Sequence, residues 1–138
     1  MSKAINKSED IKPGTEIYYV AGAFGRKEMT YHEISHQVVV SEPIPAHLAP
    51  TARSFFFAYK FYGRSEIFRH YLNDLRISHG EVPAPCYNLN RAFLTLKDAK
   101  SFVDEINSLN FSDPDDQKVF TDYAESYDDQ DWDLAYDV

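Results

Sequence analysis

The chain holds a single cysteine, Cys86, in 138 residues. That excludes an intrachain disulfide and any zinc site built from several thiolates. No apolar run approaches the roughly 18 residues of a membrane span, and the polar opening MSKAINKSED lacks a signal-peptide core, so a cytoplasmic protein is expected. Only 5 Gly and 7 Pro are present, which excludes collagen-like and Pro/Gly low-complexity chains. The sequence has no G-x-G-x-x-G, no Walker A, no G-x-S-x-G and no EF-hand loop, which removes the recognisable nucleotide, hydrolase and calcium sites. Cations are scarce as well. With 14 Lys+Arg against 22 Asp+Glu the net charge is −8, which argues against a protein that coats duplex DNA through phosphate contacts. No cofactor is expected.

What the chain does have is apolar bulk, at 43% with 15% aromatics, enough for a core in one domain of ordinary size. The charge is unevenly placed. Residues 1–111 carry 13 Lys+Arg and 12 Asp+Glu, a balance of +1, whereas residues 112–138 carry one Lys and 10 Asp+Glu, a balance of −9. A globular domain over 1–111 and an acidic helix and tail over 112–138 are expected.

Residues 1–11 are polar and read as a mobile start. Lys12-Pro13-Gly14-Thr15 is a turn, and Glu16 to Val20 has the aromatic and β-branched content of a strand. Met29 to Val40 reads as the second arm of a long hairpin, halted by Pro43 and Pro45. Ser54 to Tyr62 is a third strand, with Phe55, Phe57, Tyr59 and Phe61 on one face and Phe56 and Tyr62 on the other. Ile67, Phe68, Tyr71, Leu72 and Leu75 then share a helical stripe after Ser65, predicting a helix that ends before Gly80. Ala92-Phe93-Leu94 is a short strand. Thr95 and Asp98 form a capping box that opens a helix burying Ala99, Phe102, Val103 and Ile106. Ser112 with Asp115, and Pro114 in the first turn, predict a last helix whose apolar stripe is Val119, Phe120, Tyr123 and Tyr127. The expected fold is α+β: a small curved antiparallel sheet or partial β-barrel covered by two to three helices, with an acidic C-terminal segment.

Two stretches could carry chemistry. Residues 32–36 read His-Glu-Ile-Ser-His. On a helix His32 and His36 lie one turn apart and can share a Zn²⁺, with Glu33 as the base acting on bound water. In a strand the two imidazoles stand about 13 Å apart, and the flanking Thr30-Tyr31 and Val38-Val39-Val40 are strand-like. A small zinc peptidase on His32, Glu33 and His36 is therefore the second alternative. Residues 53–71 interleave eight aromatics with Arg53, Lys60, Arg64 and Arg69. Single-stranded nucleic-acid binders use such rings to stack bases and such cations to track phosphates. Arg53, Phe56, Lys60, Tyr62 and Arg64 are the candidate residues of this first alternative, weighed against the plainer reading of a buried central strand with rim charges. Cys86, the acid pairs Asp115-Asp116 and Asp128-Asp129, and the isolated His70 and His79 have no partner that sequence can assign.

The phrases Lys12-Pro-Gly-Thr-Glu-Ile-Tyr-Tyr-Val20 and Ala92-Phe-Leu-Thr-Leu-Lys-Asp-Ala99 resemble those of small uncharacterised bacteriophage accessory proteins. The resemblance implies a non-enzymatic, partner-directed role in the host cytoplasm, such as inhibition of a host enzyme or defence system. The leading expectation is a protein that presents its acidic, aromatic C-terminal segment to a host protein, by imitating a nucleic acid. Asp128, Asp129, Asp131, Trp132, Asp133 and Tyr136 are the expected contact residues: the acids speed approach to a basic cleft, and Trp and Tyr supply anchors.

Overall fold

The computed structural model describes residues 3–22, 28–46, 55–80 and 84–122. Six strands form one curved, open antiparallel sheet: β1 (Glu16–Ala21), β2 (Ser35–Val39), β3 (Ile44–Pro45), β4 (Phe55–Phe61), β5 (Phe68–Tyr71) and β6 (Asn90–Phe93). The order is β3-β4-β2-β1-β6, with β5 paired to the other side of β4. Helix α1 (Leu96–Ser108) follows β6, and a shorter helix, α2, spans residues 114–122. The expected α+β fold and its open curved sheet are thus present.

Strand alternation gives the sheet two faces, and each carries its own core. On one face Ile17, Val39, Phe57, Tyr59 and Ala92 pack with Leu72, Leu75 and Ile77. Ile5 and Ile11 of the N-terminal segment close this core, so the described part of residues 1–11 is not a loose start. Its backbone is stitched down by Ile5 N–H to the Ala92 carbonyl at 2.8 Å and Ser8 N–H to the Ser78 carbonyl at 2.9 Å. On the opposite face α1 lays Ala99, Phe102, Val103 and Ile106 over Val20 and Phe93. Those four are the residues that the helical period assigned to burial, and the Thr95 hydroxyl caps the helix by accepting from Asp98 N–H at 3.1 Å.

Three elements differ from expectation. The predicted helix over residues 67–75 is β5 followed by a 3₁₀ turn, Leu72–Leu75. Phe68-Arg69-His70-Tyr71 satisfies a period of two as well as a period near 3.6, and the pairing of Phe56–Tyr59 with Tyr71–Phe68 decides for the strand. Ile67, 54% exposed, belongs to no buried stripe. The second hairpin arm begins only at Ser35. Before it, Asn107 of α1 clamps Met29 through both its amide groups, at 2.8 and 2.9 Å, and Tyr31–Glu33 forms a 3₁₀ turn. Helix α2 is capped one residue later than expected, by Asp113 accepting from Asp115 N–H at 2.8 Å, while Ser112 bonds to Glu105.

A polar network ties α2 to the body. Arg91, 2% exposed, donates to Asp116 at 2.6 Å and to the carbonyls of Asn88 and Asn90. Arg76 donates to Asp113, Asp115 and Asp116. Val119 and Phe120 of α2 add an apolar contact with the α1 core. Taking Asp116 away leaves a buried guanidinium without its counter-charge, whereas Asp115 is largely solvated. Asp116→Ala should therefore cost about 3 kcal/mol or more in urea unfolding, and Asp115→Ala less than about 1 kcal/mol. Equal losses would show that burial of the network is not what holds α2.

His70, in β5, shares the face of Phe57 and Tyr59 and stacks on Tyr59 at 4.0 Å, with Nε2 2.8 Å from Gln37 Oε1. Burial pushes its pKa from 6.5 down to about 4, against a smaller upward pull from Asp74. The unfolded chain thus holds this proton more tightly than the folded one. The stability His70 contributes is complete above about pH 6.5 and is lost as pH falls towards 4, by roughly 3 kcal/mol in all. In His70→Gln, which keeps an N–H donor and does not titrate, that portion of the acid destabilisation should disappear from urea midpoints measured between pH 7.5 and 4. An unchanged pH profile would assign the proton elsewhere.

Candidate functional site

The face that α1 covers is covered only in part. α1 rests on β1 and β6, and among the described residues no helix lies over the same face of β2, β4 and β5. Alternation and register decide what stands there. Opposite Lys60 is Val38, and opposite Phe56 and Ala58 are Tyr71 and Arg69. Val38 and Ala58 sit near the middle of the sheet yet are only half-buried, as expected where no described helix packs on them.

A row of rings crosses this face. Phe93, Tyr18 and His36 are direct cross-strand partners on β6, β1 and β2, and Tyr62, just past β4, donates its N–H to the His36 carbonyl at 3.0 Å. The row is buried beneath α1 at Phe93 and ends in solvent at Tyr62, which is 61% exposed. Tyr18 and His36 stack at 4.6 Å with planes 15° apart, and His36 and Tyr62 at 4.3 Å and 7°. The His36 Nε2–H donates to Glu16 at 2.7 Å, which fixes the ring between its two neighbours. Three cations stand on the same face or at its edge, Arg69 well away from the row. Lys60 is half-buried on the same face, Arg64 is exposed at the β4–β5 turn, and the Arg69 guanidinium lies 4.6 Å from the Phe56 ring centroid.

The residues named from sequence are distributed as follows. Phe56, Lys60 and Tyr62 stand on this one face, with Arg64 at its edge. Phe56 carries Arg69 and pairs with Tyr71. Arg53 lies outside the described residues, as do Asp128, Asp129, Asp131, Trp132, Asp133 and Tyr136. His32 and Glu33 lie on the 3₁₀ turn and His36 lies in β2, so the one-turn helical spacing that would aim both imidazoles at a shared ion is not formed. The Glu33 carboxylate accepts from Thr30 N–H at 3.0 Å, and no group of three metal-ligating side chains occurs among the described residues. Burial pushes the Cys86 thiol above its usual pKa, with Arg76 and Arg91 pulling the other way, and Sγ rests 3.4 Å from Arg91 within the α2 network. His79 bonds to the Ser8 hydroxyl and stacks on Phe55.

Sequence reading did not find Tyr18 and His36 as members of the platform. The signal was partly there, since Tyr18 and His36 are on facing hairpin arms, but the register that sets His36 against Tyr62 pairs strands separated by a long connection. A concavity of about 890 Å³ lies beside the N-terminal segment and is lined in part by Arg76 and Arg91. Both arginines are already neutralised by Asp113 and Asp116.

Fold and face together define an α+β protein with a half-open sheet and an aromatic, cationic surface. Residues 5–106 match the family described as Phage g100-like protein, and the chain belongs to that family. The matched stretch runs from Ile5, which closes one core, to Ile106, the last buried residue of α1 in the other. No curated protein and no solved structure matches the chain. Among the described residues no helix is long and apolar enough to cross a membrane.

Proposed function

We propose that this phage protein is a non-enzymatic binding protein that holds single-stranded nucleic acid across the uncovered half of its sheet. The observation that carries the reading is the ring row Tyr18–His36–Tyr62 on a face flanked by Lys60, Arg64 and Arg69. A ring platform accepts any base because every base has a π-face, and a few cations suffice to follow one backbone. Three cations on a chain of net charge −8 suit a single strand far better than a duplex, whose binding rests on many phosphate contacts.

The charge distribution favours a second reading for the rest of the chain. The −9 balance of residues 112–138, six of whose ten acids follow α2 with Trp132 and Tyr136 among them, suits a segment that approaches the basic, nucleic-acid-holding cleft of a host protein and modulates it. The two readings are compatible, because one uses the sheet and the other uses residues 123–138.

Fluorescence anisotropy with labelled dT and rU oligonucleotides tests the first. Binding should weaken with salt at a slope of about −2 in log K against log salt, from three phosphate contacts at about −0.7 each. Lys60→Ala with Arg69→Ala should reduce that slope to about −0.7. Absence of binding to both strands at low salt would refute the reading. For the second, a host protein captured by the full chain should be lost when the chain is shortened to residue 122, which keeps Asp113 and Asp116 in place. Trp132→Ala should release it faster by at least about 2 kcal/mol in affinity. Equal capture by the shortened chain would contradict that role.

A further inference from the structure

We infer that Tyr62, the outermost ring of the row that begins at Phe93, seats one unpaired nucleobase. This rests on the single-strand reading above and assigns that surface its one ordered base position.

The row has a direction. Its inner end is locked, because Phe93 packs under Phe102 of α1 and Tyr18 lies between Phe93 and His36 in register. His36 is held on one ring face by Tyr18, on the other by Tyr62, and at its edge by Glu16. Tyr62 therefore has its plane set before any ligand arrives, within 7° of the His36 plane. A ring already ordered loses little conformational entropy when a base stacks on it, so most of the stacking gain appears as affinity.

The outer end is open because the chain turns there. Arg64 N–H bonds to the Phe61 carbonyl at 2.9 Å and Gly63 takes φ +78°, so β4 reverses immediately after Tyr62, and among the described residues no further strand continues the row. What the turn leaves at this corner of the sheet is a recess of about 560 Å³ lined by Tyr62, Arg64, Ser65 and Glu66, with Phe61 and Phe68 bordering it from the opposite face. That is within the roughly 300–1,000 Å³ range of small-ligand sites. The chemistry of the lining selects the class of ligand. Glu66 opposes a free phosphate, while the Tyr62 ring with one neighbouring Arg suits a flat, largely uncharged base whose phosphate can turn outward to Arg64.

The test uses the full chain with dT and rU oligonucleotides, the two strands distinguishing DNA from RNA as the source of the base. Tyr62→Ala should weaken binding roughly five- to hundredfold, the range for loss of one base–aromatic stack. Tyr62→Phe should bind within about twofold of the unaltered chain, since the ring and not the hydroxyl makes the contact. Tyr62→Leu keeps an apolar side chain on His36 without a π-face, and should melt like the unaltered chain while binding like Tyr62→Ala. A strand carrying a single 5-iododeoxyuridine should photocross-link at Tyr62. If Tyr62→Ala and Tyr62→Leu bind normally while the Lys60/Arg69 double variant is weakened, the base position is wrong and the single-strand reading survives. If the unaltered chain binds neither strand, both fall.

Discussion

The structure depends on a mismatch of widths. A helix is about 10 Å across and neighbouring strands are about 4.8 Å apart, so one helix covers about two strands. The chain builds a sheet of six strands and sets α1, its one fully described long helix, on β1 and β6. The other face is sealed by cheaper means: two isoleucines of the N-terminal segment, a 3₁₀ turn bearing Leu72 and Leu75, and Ile77. Among the described residues, half of the α1 face is left over. The proposed single-strand surface follows from that remainder, because alternation must place some side chains on it and the sequence places rings and cations there. The row from Phe93 to Tyr62 is the transition between the two halves, apolar core at one end and solvent-facing platform at the other.

The second helix is held differently. α2 contributes Val119 and Phe120 to the core, but its placement is set by charge: Arg91 has no exposure to speak of and must have Asp116 near it. A buried ion pair of this kind contributes more to a unique arrangement than to stability, since its desolvation cost offsets much of its attraction. The residues that follow α2 in sequence hold most of the acidic surplus, so this network fixes where on the body that segment departs. The aromatic half-face and the start of the acidic segment are thus both positioned by groups buried at the β6 end of the sheet.

Much of this was legible in the sequence, and the reasons differ by element. α1 was fully readable because Thr95, Asp98 and the apolar period agree, each acting within a few residues. β4 was readable from its aromatic run, and with it the placement of Phe56, Lys60 and Tyr62 on a common side. The stretch 67–75 was not, because Phe68, Tyr71, Leu72 and Leu75 fit two periods at once and only the pairing partner chooses between them. Ile5 and Ile11 were missed since each is isolated among polar neighbours, and their burial depends on distant strands. The His-Glu-Ile-Ser-His pattern shows the limit of a motif without its backbone: the same letters serve a zinc helix or, as here, a 3₁₀ turn running into a strand. His36, which the pattern offers to a metal, is the middle ring of the Tyr18–His36–Tyr62 stack.

The central claim is that the uncovered half of the sheet, and not the sealed face or the α1 core, is the ligand surface. Titrating the isotopically labelled full chain with a dT oligonucleotide while following aromatic ¹³C resonances tests it directly. The account predicts that signals of Tyr18, His36, Phe56 and Tyr62 move together and saturate, while those of Phe57 and Phe102, on the sealed face and beneath α1, stay in place. Movement confined to Phe57 or Phe102, or no movement at saturating oligonucleotide, would contradict it.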